Sequence, residues 1–131
     1  MSAPRHAECL ERLEREGYCI IEELVPATSI AALDTDLAGD FAAAPMGHGD
    51  FYGYRTKRFG SLLRRSPWAG DLALQPLVLG LAREILGKAC DCIQLNVAQA
   101  IGIYPGEIEQ FPHCDHDMWA GAKGTHEYLL N

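Results

Sequence analysis

Three observations predict a single α+β domain spanning residues 1–131. The first two thirds of the chain space apolar side chains at helical intervals of three and four, and residues 93–103 then switch to alternation. A length of 131 residues with 48% apolar content is also enough for one core without disulfides. Taken in order, residues 4–16 set Leu10 and Leu13 among charges and stop at Gly17, which predicts a short amphipathic helix ended by a glycine. The run YCIIEEL, 18–24, reads as a strand. After Pro26, Ile30, Leu33, Leu37 and Phe41 recur behind the capping candidates Thr28 and Ser29, predicting a helix with one apolar face.

Residues 45–60, PMGHGDFYGYRTKRFG, mix glycine, aromatic and charged residues and predict a long ordered loop, a place where function concentrates. Leu77, Leu81 and Ile85 then fall in helical register between Pro76, suited to a first turn, and Gly87, suited to an end. This helix is expected to cover a sheet. In IQLNVAQAIGIY, Ile93, Leu95, Val97, Ile101 and Ile103 alternate with smaller or polar residues and predict a strand. PGE at 105–107 should turn the chain, IEQFPHCDHDMW (108–119) should return as a second strand, and HEYLLN (126–131) should begin a third.

Eleven basic against eighteen acidic residues give a net charge of −7, which argues against a nucleic-acid or anionic-membrane surface and favours a small-molecule ligand. No apolar run reaches the roughly twenty residues of a membrane span, and the N-terminus lacks the apolar stretch of a secretory signal, so a cytoplasmic location is expected. Cys9, Cys19, Cys90, Cys92 and Cys114 are odd in number and form no CxxC pair, which fits reduced, buried thiols. Cys90 and Cys92 are spaced too closely for the usual zinc half-site.

The densest chemistry lies in QFPHCDHDMW, 110–119. On a strand, residues two apart share a face, so His113 and Asp115 would project together while Cys114 points away. One imidazole and one carboxylate supply part of the two-histidine, one-carboxylate set that holds non-haem Fe(II). His116 and Asp117 would face opposite ways and suit supporting or surface roles. The same spacing also occurs on solvated turns.

The run PGEIEQFPHCDHDMW, with LNVAQAIGIY and YGYRTKRFGSLLRRSP before it, resembles the phytanoyl-CoA dioxygenase (PhyH) family of Fe(II)- and 2-oxoglutarate-dependent oxygenases. The likeness extends from GYCIIEELV to the final EYLLN, and its specific part is PGE with Gln110, His113, Asp115 and Trp119. It implies a double-stranded β-helix, a jelly-roll barrel wrapped by N-terminal helices, with His113 and Asp115 as iron ligands. Gln99 is the one polar side chain on an otherwise aliphatic strand face; the resemblance sets it against 2-oxoglutarate, whereas a local bulge would turn it to solvent. Within the basic run Arg55, Lys57, Arg58, Arg64 and Arg65, the resemblance implies that Arg58 or Lys57 neutralises a cosubstrate carboxylate. Tyr52, Tyr54 and Phe59 would line the pocket mouth or pack in the core, and Trp119 would support packing.

The family takes its third ligand from a distal histidine followed by an arginine. His126 is the only histidine after His116 and lies off that position; His6 and His48 are expected at the surface. The resemblance therefore implies the N-terminal portion of a dioxygenase, lacking later strands, inactive alone and prone to self-association through open sheet edges. The inherited reaction would use O2 and 2-oxoglutarate to hydroxylate a small molecule. A catalytically silent β-helix binding module, or one holding another divalent metal, is the alternative.

Overall fold

A computed structural model of the chain describes residues 3–113, 115 and 129–131. It is α+β: helices α1 (Ala3–Glu16), α2 (Ala27–Ala43), α3 (Leu62–Arg65), α4 (Pro67–Ala73) and α5 (Pro76–Leu86), with strands β1 (Thr56–Gly60) and β2 (Gln99–Ile103) forming one antiparallel pair. A jelly-roll barrel is not seen among the described residues. The chain divides into two compact units, one holding the segment up to Pro26, Ala73–Gln94 and Asp115 with 129–131, the other Ala27–Leu72 and Leu95–His113.

In the first unit, α1 ends where the sequence predicts. Gly17 takes a φ of 80° and its N–H closes on the Leu13 carbonyl at 3.0 Å. The chain then turns back, and Arg5 donates to the Glu22 carbonyl at 2.8 Å. Residues 18–24 are not a strand: they lie against helices, which offer no backbone ladder, although Cys19, Ile21 and Leu24 still turn inward. They pack on a core of Cys9, Leu77 and Leu81, joined by Leu10 and Leu13. Each such leucine contributes about 1.5–3 kcal/mol by leaving water. Helix α5 therefore packs on α1 rather than on a sheet. Pro76 occupies its first turn, and the Gln75 side chain caps it by accepting from the N–H groups of Leu77 (2.7 Å) and Val78 (3.0 Å). His6, expected at the surface, has its Nε2 buried beside Gly80 and 3.6 Å from Glu84. Cys90 and Cys92 are exposed rather than buried.

In the second unit, α2 covers the β1–β2 pair. It starts at Ala27, so Thr28 and Ser29 fall inside its first turn instead of capping it. Leu37 is buried and Phe41 meets Phe59 edge-on with ring centres 4.7 Å apart, whereas Ile30 is 47% exposed. Phe41 also lies over Gly102, where an added Cβ would come within 2.9 Å of the ring. The end of the predicted loop is in fact β1, and only 99–103 of the predicted 93–103 strand is paired. Helix α4 opens on Ser66, whose buried hydroxyl accepts from Trp68 N–H at 3.2 Å and donates to Asp36 of α2 at 2.6 Å.

Residues 108–113 do not run back as a strand, and 129–131 form none either. The other positions of those two predicted strands, Asp115 excepted, lie outside the described residues; for 108–113 the turn is the reason. The Glu107 N–H bonds to the Tyr104 carbonyl at 3.1 Å across Pro105 and Gly106, and Gly106 has a φ of 83°. A proline then a left-handed glycine make a type II turn, whose twist splays flanking strands instead of closing a hairpin. β2 pairs with β1 instead.

Candidate functional site

The β1–β2 register sorts the basic run onto two faces. Thr56 stands opposite Ile103, Lys57 opposite Gly102, Arg58 opposite Ile101, Phe59 opposite Ala100 and Gly60 opposite Gln99. Directly opposed residues share a face, and the face alternates along each strand. Lys57, Phe59, Ala100 and Gly102 therefore face α2. The Lys57 ammonium donates to the Phe41 (2.6 Å) and Ala42 (3.3 Å) carbonyls in the last turn of α2, where a cation is favoured. Phe59 is taken up by Phe41 and does not line a mouth.

Arg58 and Gln99 share the other face with Ile101 and Ile103, which are 46% and 71% exposed. The Arg58 Nε is buried and has no hydrogen-bond partner among the described residues. A buried donor left unmatched is costly. The neighbouring arginines are engaged elsewhere: Arg55 Nη1 donates to the Pro105 carbonyl at 2.6 Å, and Arg65 pairs with Asp40, donates to the Gly60 carbonyl at 2.9 Å and stacks on Phe59.

Glu107 ties the 45–55 loop to the segment that follows β2. Its carboxylate accepts from the Thr56 hydroxyl at 2.8 Å, from the backbone N–H groups of Arg55 and Tyr54, and from Ile108 N–H at 3.0 Å. Partial burial pushes this carboxyl up, but those donors outweigh it and hold it below the ordinary glutamate range. Gly53, with a φ of 81°, leaves room for the carboxylate; a Cβ there would overlap it and lie 2.6 Å from the Thr56 hydroxyl. From sequence, PGE is a turn and part of the family likeness, without a role for the Glu107 carboxylate. The signal it missed is a carboxylate directly after that turn together with glycines in the loop it anchors.

The anchored loop reaches the HxD segment. Gln110 donates through its side-chain amide to the Phe51 carbonyl at 2.6 Å, and the Phe51 ring packs on Phe111 and edge-on against His113 at 4.9 Å. His113 Nδ1 lies 3.1 Å from the Phe111 carbonyl. A carbonyl only accepts, so Nδ1 carries the proton of this contact. Tyr52 and Tyr54 are largely exposed; Tyr54 donates to Asp50 at 3.2 Å, which raises its phenol pKa.

Asp115 belongs to the first unit, and its Oδ2 accepts from Asn131 at 2.9 Å. Among the described residues no three His, Cys, Asp or Glu side chains form a metal-holding group. Cys114, His116, Asp117, Trp119 and His126 lie outside the described residues. His48 is exposed, its ring edge-on to Tyr54 at 5.7 Å. Among the described residues no helix is long and apolar enough to cross a membrane.

Residues 13–130 match the family model of phytanoyl-CoA dioxygenase (PhyH). The chain belongs to that dioxygenase family. No curated protein matches it.

Proposed function

We propose that the chain carries an Fe(II)- and 2-oxoglutarate-dependent oxygenase centre that works with O2 on a small molecule, on a double-stranded β-helix to which β1 and β2 contribute. The observation that carries this reading is the strand register, which sets Arg58 and Gln99 on one face beside Ile101 and Ile103. A dicarboxylate suits that face because Arg58 would neutralise one carboxylate and Gln99 would donate an amide hydrogen bond. Lys57, held by the end of α2, is not the cation of choice.

The donor chemistry of His113 and Asp115 fits Fe(II). One is an imidazole with its Nδ1 engaged by the Phe111 carbonyl, the other a carboxylate oriented through one oxygen by Asn131. When bound, the metal supplies the redox chemistry that activates O2. Glu107 and the Phe51 loop hold the His113 ring in place.

The test is an anaerobic titration of Fe(II)-loaded protein with 2-oxoglutarate, followed by the visible charge-transfer absorbance of the chelate. Replacing Arg58 by methionine removes a charge-assisted hydrogen bond of about 1.5–3 kcal/mol, which should weaken 2-oxoglutarate by roughly ten- to hundredfold. Lys57→Met should leave that affinity unchanged, and His113→Ala should abolish the band and, in a chain that also carries the distal histidine and arginine, succinate formation. No band in the unaltered protein, or equal losses from the Arg58 and Lys57 variants, would overturn the proposal.

A further inference from the structure

Away from the candidate metal site, the first unit holds a second concentration of reactive groups. A cavity of about 430 Å³ is lined by Arg5, Cys9, Arg12, Cys19, Ile21 and Glu22, among others. Its two thiols come from different elements. Cys9 is buried on the inner stripe of α1, and Cys19 is brought beside it by the Gly17 turn and the return of residues 18–24 along the helix. The Arg5 bond to the Glu22 carbonyl holds that return in place. Both are free thiols, both line this one cavity, and Cys19 packs against the core cluster that contains Cys9.

We propose that Cys9 and Cys19 are a redox pair that forms a disulfide on exposure to a hydroperoxide, pinning the 18–24 segment to α1. Burial and the neighbouring Cys19 thiol push the Cys9 thiol up, so it is a poor first nucleophile. Cys19 is partly exposed and reacts first. Its thiol releases a proton, the thiolate attacks one peroxide oxygen, the O–O bond breaks, the departing hydroxide or alkoxide takes up a proton to leave as water or an alcohol, and Cys19 becomes a sulfenic acid. Cys9 sulfur then attacks the Cys19 sulfur; the S–S bond forms, the S–O bond breaks, and the departing hydroxide takes the Cys9 proton as water. Two electrons pass from the two thiols to the peroxide. The exposed Cys90 and Cys92 are separated by one residue, too close for an easy bridge with each other.

The experiment treats the folded protein with limiting hydrogen peroxide, blocks remaining thiols and digests it with trypsin without reductant. Arg12 and Arg15 separate the two cysteines, so the bridge appears as peptide His6–Arg12 joined to peptide Glu16–Arg55, lighter by two hydrogens than the unlinked pair. This product is expected to dominate over every pairing with Cys90, Cys92 or Cys114, to raise the urea midpoint, and to disappear with dithiothreitol. Cys19→Ser, at the less buried position, should lose the midpoint shift while remaining folded. Random pairing, a bridge formed only in urea, or Cys19 driven to sulfinic acid without cross-linking would overturn the proposal.

Discussion

Replacing Gly53 by alanine probes the Glu107 anchor directly. The φ of 81° costs an L-residue about 1–2 kcal/mol. The new methyl would also overlap the Glu107 carboxylate, which cannot step aside freely because donors hold it from the loop and from Ile108. Forcing a group into filled space typically costs a further ~1–3 kcal/mol, so the total is about 2–5 kcal/mol. Gly49 supplies the control. Its φ is 97°, but a Cβ there meets nothing within 4 Å, so Gly49→Ala should carry only the backbone cost, about 1–2 kcal/mol. Urea unfolding followed by tryptophan fluorescence and circular dichroism measures both; with a slope of about 2 kcal/mol/M, Gly53→Ala should lower the midpoint by roughly 1–2.5 M. NMR should show the His113 ring resonances shifting in the Gly53 variant only, since Phe51 connects that loop to the imidazole. Equal midpoints for the two variants would refute the anchoring role of Glu107.

Ser66→Ala removes both the α4 cap and the hydroxyl bonded to Asp36, and should cost about 1–2 kcal/mol by the same denaturation assay, with Ser66→Thr recovering part of it. Because Glu107 is held below its ordinary pKa when folded, its contribution is complete above the unfolded value and fades as pH falls through the folded one. Acid titration should therefore unfold Glu107→Gln with a shallower dependence below the ordinary glutamate range than the unaltered chain; an identical slope would show that the carboxylate is not the titrating anchor.

Much of the helical architecture was legible because its signals are local. The stop at Gly17, the opening at Pro76 and the end at Gly87 act within one turn, and the buried pair Leu77 and Leu81 follows from spacing alone. Strand pairing was not legible, since alternation in QAIGI gives a face but names no partner, and the partner lies some forty residues earlier. The same limit left Arg58 and Lys57 equivalent. Alternation separates them, yet only α2, seated on Lys57 and Phe59, decides which face is covered. His113 was chosen for its chemistry through a strand that residues 108–113 do not form; its ring is set instead by the Phe111 carbonyl and Phe51.

The interrupted first unit carries a consequence for synthesis on the ribosome. The greasy stripe of α1 emerges early, but Leu77 and Leu81, which shield it, are translated about seventy residues later. Until then only Cys19, Ile21 and Leu24 are at hand to cover that stripe, and a holdase binding α1 would have its widest opportunity before α5 leaves the exit tunnel.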